Sequence, residues 1–193
     1  MIVFANAGIV EKVDIYKREE SDAKGLPPRL DTSVLDINLT SVVTTSYLAI
    51  HFFRKNTKPG GALVITASSG GLYPTPYLPM YSAAKHGCVG FTRSVADTLA
   101  KEGIRVNCTC PGPVRTGLLA QHEWDKFPNA TFVPIENVVK VVQMLVNDDT
   151  LHGKAVELIQ DRWKFRDALA FEDAAMKEVM TLSGESTFDS QKH

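Results

Sequence analysis

Cysteine is scarce in this sequence. Only Cys88, Cys108 and Cys110 occur, an odd number at no zinc-finger spacing, so neither a disulfide framework nor a cysteine metal site is expected. Cys108-Thr-Cys110 alternates like one face of a strand, which reads as buried free thiols. An excess of one charge is lacking too: 21 Lys and Arg stand against 22 Asp and Glu with no basic stripe, so no nucleic-acid partner is expected. No stretch nears the roughly 20 apolar residues of a membrane span. The N-terminus has no basic lead, and its apolar run breaks at Asn6, too early for a signal peptide. No membrane partner and a cytoplasmic location are the resulting expectations. His51, His122 and His152 stand isolated, so no metal constellation can be built from them. The pairs Gly60-Gly61 and Gly70-Gly71 do not open a helix in Gly-x-Gly-x-x-Gly spacing, the turn whose amides cradle dinucleotide phosphates.

What is present suits one globular domain, with 44% apolar residues. Ile2 to Ala5 reads as a short buried strand ended by Asn6-Ala7-Gly8. Residues 10–31 are polar and broken by Gly25-Leu-Pro-Pro28, a loop with at most a short helix. Thr32 or Ser33 can cap a helix to about residue 55 whose apolar positions are Val34, Leu35, Leu39, Val42, Val43, Leu48 and Phe52. A continuous apolar strand over 62–66 runs into Ser68-Ser69, and a helix over 81–101 stops at Gly103. A strand over 105–110 breaks at Pro111-Gly-Pro113. A helix over 135–147, a strand over 155–159 and an amphipathic helix over 165–180 with a polar tail complete the chain. Strands alternating with helices imply an α/β fold with a parallel sheet covered on both faces.

In such sheets, sites form beyond the carboxyl ends of the strands. The strongest element there is Tyr81-Ser-Ala-Ala-Lys85, because i and i+4 side chains share a helix face. A phenol titrates near pH 10, and a nearby cation can lower that by about 1–3 units. Tyr81 is then expected to work as a general acid/base near neutral pH.

With these residues in their order, the chain resembles the short-chain dehydrogenase/reductase family. Asn6-Ala7-Gly8 after a buried strand is similar to its Asn-Ala-Gly motif, and Asn38 in Leu35-Asp-Ile-Asn-Leu39 to its helix asparagine. Ser68 lies thirteen residues before Tyr81, and Arg105-Val-Asn107 with Pro111-Gly-Pro-Val-Arg-Thr116 resembles its segment at the nicotinamide. The resemblance implies a Rossmann-like doubly wound sheet and a catalytic tetrad of Asn38, Ser68, Tyr81 and Lys85. Cofactor contacts are implied for Asn6, Ala7, Gly8, Tyr81, Lys85, Pro111, Gly112, Val114 and Thr116. The implied cofactor is NAD or NADP, with NAD favoured. The implied reaction is hydride transfer between a secondary alcohol and a ketone, with a small apolar substrate and a homodimer at full length. Trp124, Phe127, Phe132 and Trp163 fit a bulky apolar ligand. Asn107 is expected to be architectural, and His86 to point to another helix face.

If Ile2 to Ala5 is the family's fourth strand, strands 4 to 7 are present and an N-terminal cofactor-binding segment is missing, roughly 80–90 residues at about 30 per βαβ unit. Residues 1–162 then form the catalytic part and 163–193 a helical extension with a polar tail. Asp161-Arg-Trp163 stands where many tetrameric members have acid-Gly-Gly, and the roughly thirty residues that follow resemble the extensions of prostaglandin-dehydrogenase-like and fungal members. Taken alone, the chain is expected to bind the cofactor at best in the millimolar range without turnover. The alternative is a non-catalytic fragment that acts, if at all, as an interaction protein.

Overall fold

The computed structural model describes residues 1–182. Its centre is a sheet in the order β1 (Ile2–Ala5), β2 (Gly61–Thr66), β3 (Ile104–Pro111), β4 (Ala155–Ile159) and β5 (Arg162–Arg166). The first four strands run parallel, as expected from their alternation with helices. The fifth is a departure: it pairs antiparallel with β4, so five strands stand where four were read. The predicted helix over 165–180 therefore gives way to β5, and a helix is found only as α6 (Ala174–Leu182). The reason lies in Arg162-Trp-Lys-Phe-Arg166, whose period of two suits a strand. A tight turn at Gln160-Asp161, with Gln160 at a left-handed φ of 55°, folds it back on β4. The boundary drawn after residue 162 thus falls inside a hairpin. The polar tail lies outside the described residues.

A single helix spans Ser33–Arg54 in three parts: α1 (Ser33–Leu35), a π-helical stretch at Asp36–Thr40, and α2 (Ser41–Arg54). Thr32 stands at the N-cap position, as one of the two expected candidates, but makes no side-chain bond there; the Asp31 carboxylate accepts from the Ser33 N–H at 2.9 Å instead. By length and composition alone this helix could cross a membrane, contrary to the expectation that no stretch nears a span. In the fold it lies along the sheet and buries Val34, Asn38, Val42, Ser46, Ala49 and Phe53. Residues 10–31 hold turns and no helix.

Beyond β2 come α3 (Pro79–Ala100), α4 (Gln121–Trp124) and α5 (Ile135–Asn147). Period-two alternation in β2 divides the core: Leu63 and Ile65 face α2 and α3, while Val64 faces α5 with Val141, Leu145, Val156 and Leu158. Both faces carry helices, which makes the fold a Rossmann-like doubly wound α/β sheet. Gly103, at φ +72°, ends α3 in a conformation that suits glycine and turns the chain into β3.

Candidate active site

Three strand ends and two helices converge on one place. The chain leaving β1 passes Asn6, Ala7 and Gly8. Asn38, fully buried in the π-helical stretch, clamps the next residue: its Oδ1 accepts from the Ile9 N–H at 2.8 Å and its Nδ2 donates to the Ile9 carbonyl at 2.7 Å. A π stretch shifts helix register locally and so turns this side chain toward the loop. Behind it, the Cys88 thiol donates to the Asn38 carbonyl at 3.1 Å. Burial pushes the Cys88 pKa up, which keeps that thiol a neutral donor.

β2 delivers two more groups. The Thr66 carbonyl accepts from Lys85 Nζ at 2.8 Å, and the Thr66 hydroxyl donates to Asn6 Oδ1 at 2.8 Å. Ser68 caps the short turn at Ser69–Gly71 by accepting from the Gly70 N–H at 3.1 Å, and its hydroxyl is near enough to the Tyr81 phenol to lower the phenol's pKa. That nearness favours Ser68 over its neighbour Ser69, which lines a cavity of about 260 Å³ with Gly112, Pro113, Glu157 and Gln160. Tyr81 and Lys85 lie one turn apart on α3, with Nζ 5.7 Å from the centre of the phenol ring.

The electrostatics differ from the sequence-based expectation. Tyr81 is shifted upward, not downward: desolvation by burial dominates, opposed by the hydrogen bond from Ser68. Burial likewise lowers Lys85, a residue only 3% exposed. The expectation counted the attraction of a cation and left out the low-polarity setting in which both groups sit.

Gly8 fits the site by size. A Cβ there would come within 3.3 Å of Asn38 Oδ1 and 3.6 Å of Lys85 Nζ, so the glycine lets the loop lie close over both groups. A dinucleotide's ribose hydroxyls fit such a cradle of carbonyl, amide and ammonium groups. The segment after β3 is more open. Gly112 donates to the Leu158 carbonyl, Val114 is half-buried against α5, and Thr116 is exposed with its carbonyl accepting from Trp124 Nε1.

A chain with this order of strands, and with Asn38, Ser68, Tyr81 and Lys85 gathered around one loop, has relatives. The short chain dehydrogenase family profile matches residues 1–126. The chain belongs to that family. A short-chain dehydrogenase/reductase of Penicillium rubens, prx7, is 42% identical to it over 201 residues, covering 92% of this chain and 71% of the relative. The NAD+-dependent 15-hydroxyprostaglandin dehydrogenase of Mus musculus is 34% identical over 133 residues, so this chain spans about half of that enzyme, 49%. Among solved structures, 4-hydroxyisoleucine dehydrogenase complexed with NADH superposes with a TM-score of 0.63 at 26% identity, over 81% of this chain and 66% of that one. A short chain dehydrogenase of Mycobacterium avium reaches a TM-score of 0.67 at 23% identity, over 88% and 56%, and shares the fold.

Two features of this short-chain dehydrogenase had no place in the sequence reading. Glu11, nine-tenths buried, accepts from the Tyr81 backbone N–H, and nothing in its polar stretch marks it out. Glu157, buried in β4, pairs with Arg166 of β5 at 2.5 Å; the signal there was the alternation of β5. Other expectations hold. Asn107 is architectural, donating to the Leu151 carbonyl and accepting from the Lys154 N–H. The three cysteines are buried and free. His86 is exposed and bonds back to the Ser82 carbonyl. Trp124, Phe127 and Phe132 form one cluster, but Trp163 stacks apart from it on Phe165.

Proposed function

We propose that this segment carries the catalytic residues of a nicotinamide-dependent dehydrogenase that interconverts a secondary alcohol and a ketone, with Tyr81 as the general acid/base. The observation that carries it is the gathering of three groups: the Lys85 ammonium lies 5.7 Å from the centre of the Tyr81 ring, and the Ser68 hydroxyl and that ring both border Gly70. NAD or NADP, when bound, supplies or accepts the hydride. The loop from Asn6 to Gly8, Lys85, and the segment of Pro111, Gly112, Val114 and Thr116 would hold its nicotinamide half.

In the reducing direction negative charge grows on the carbonyl oxygen, so donors must already point there. Ser68 holds that oxygen and Tyr81 gives it a proton. Because burial raises Tyr81, the phenol is the form in place at neutral pH, ready to donate. In the reverse direction Tyr81 takes the alcohol proton. Lys85, lowered by burial, releases a proton more readily than an exposed lysine and sits where the relay past Asn38 begins.

NAD is the cofactor favoured, in line with the name of the 15-hydroxyprostaglandin relatives. The aromatic cluster of Trp124, Phe127 and Phe132 supports a small apolar substrate. Exposed Tyr47, Leu48 and Phe52 on α2 support a homodimer, to be read by light scattering, and the free thiols support a cytoplasmic setting. The deciding experiment is Tyr81→Phe in the full-length enzyme: turnover should fall about 10²–10⁴-fold with cofactor affinity kept, and retained activity would remove Tyr81 from this role.

A further inference from the structure

The first N–H groups of a helix have no acceptor within it. At the start of α3, Leu78 occupies the capping position with an apolar side chain and makes no side-chain cap, and Pro79 has no N–H to satisfy. Tyr81, the third residue of the helix, is thus left with a donor that its own segment cannot serve. The acceptor comes from seventy residues earlier in the chain. Glu11 Oε2 takes the Tyr81 N–H at 2.5 Å, from a side chain 9% exposed.

Three details give this contact more than a local meaning. A carboxylate faces the positive end of a 22-residue helix, where its charge is favoured. A hydrogen bond to an ionised acceptor is about twice as strong as a neutral one. Moreover, Glu11 Oε1 is buried with no hydrogen-bond partner among the described residues, so the side chain is held at Tyr81 at a desolvation cost. The loop that carries Glu11 is already pinned at Ile9 by Asn38. Its two anchors therefore tie together the buried asparagine and the tyrosine.

We propose that Glu11 is a positioning residue for Tyr81: a carboxylate supplied by the loop after β1 that caps α3 and holds the phenol against Ser68. The consequence for catalysis depends on Tyr81 being the acid/base, but the positioning itself can be read without turnover. The other four tyrosines, Tyr16, Tyr47, Tyr73 and Tyr77, are exposed, so the alkaline absorbance titration of the 193-residue chain minus that of Tyr81→Phe isolates the Tyr81 step. Burial places that step above the ordinary phenol value.

Glu11→Ala, compared with Glu11→Ala/Tyr81→Phe, should bring the step down toward that of a free phenol and speed deuterium exchange at the Tyr81 amide by about tenfold. Glu11→Gln, which keeps an acceptor oxygen but loses the charge, should retain more of the late step and of the protection than Glu11→Ala does. A Glu11→Ala chain that is folded yet keeps the wild-type step and protection overturns the proposal. Should that variant not fold, Glu11→Asp and Glu11→Gln decide instead. The shorter aspartate should lose the late step and glutamine should keep more of it, and identical titrations in the two would overturn the proposal. None of these readings changes if Tyr81 turns out not to be the acid/base, so the two ideas fail separately.

Discussion

The site has two unlike walls. One is made of Asn38, Ser68, Tyr81 and Lys85, groups at element ends or on helices, with Asn38 and Lys85 almost wholly buried and each bonded to backbone of another segment. The other, residues 112–134, is held mainly by its own side chains. Arg115 lies 4.1 Å over the Phe132 ring and donates to Asn129, while Trp124 closes on the Thr116 carbonyl. Strand and helix ends fix geometry to a fraction of an ångström, and loops packed on themselves do not. In the function proposed above, the chemistry belongs to the first wall and adjustment to different substrates to the second.

Substituting glycines tests the contrast most sharply. In the first wall, a Cβ at Gly71 would stand 2.5 Å from the Lys85 carbonyl oxygen and 2.8 Å from its carbon. Backbone cannot give way there without moving α3, so Gly71→Ala should cost about 1–3 kcal/mol in a denaturant titration, as overpacking does. An unshifted midpoint would show that this wall is softer than its packing suggests.

A smaller effect is expected from alkali. Tyr81 is raised above its ordinary 10.0. Below pH 10 the folded and unfolded chains both keep its proton and stability is indifferent to it; above that, the unfolded phenol ionises first, the folded state binds more protons, and stability falls. Lys85 works the other way. With its folded value below 10.5, the unfolded chain holds the extra proton between the two values, so stability rises with pH up to 10.5. The melting temperature of wild type relative to Tyr81→Phe should therefore be flat up to about pH 10 and fall beyond it. A difference that is flat throughout would mean that the phenol is not buried.

The smallest effect belongs to the second wall. A Cβ on Gly117 meets nothing within 4 Å and the residue is exposed, so Gly117→Ala should stay within about ±0.5 kcal/mol by the same denaturant titration. A loss as large as that of Gly71→Ala would erase the distinction between the walls.

The sequence disclosed the first wall well. Tyr81 and Lys85 are four apart on a helix, Ser68 ends an apolar strand, and Asn107 shows in the fold the structural role its setting suggested. Local patterns carry that kind of information because helix and strand periods set which side chains share a face. What escaped depended on distant parts of the chain. Glu11 is one acid in a polar stretch until α3 packs beside it. The direction of the Tyr81 shift needed burial, which spacing does not reveal. The strand at Arg162–Arg166 shows as an alternation, but its last two residues fall within the helix expected over 165–180.

The π-helical stretch at Asp36–Thr40 makes the number of residues there matter as much as their kinds. It inserts the equivalent of one residue into the helix, and a residue is worth about 100° of rotation at 3.6 per turn. The wider turn absorbs that rotation, so Asn38 faces Ile9 while Val42, Ala49 and Phe53 keep the sheet. An in-frame loss of one codon would therefore act differently by place. Between Asp36 and Thr40 it would close the wide turn and change the facing only there, at Asn38. In the regular part of α2 it would turn everything beyond it by about 100° and take the buried row off the sheet.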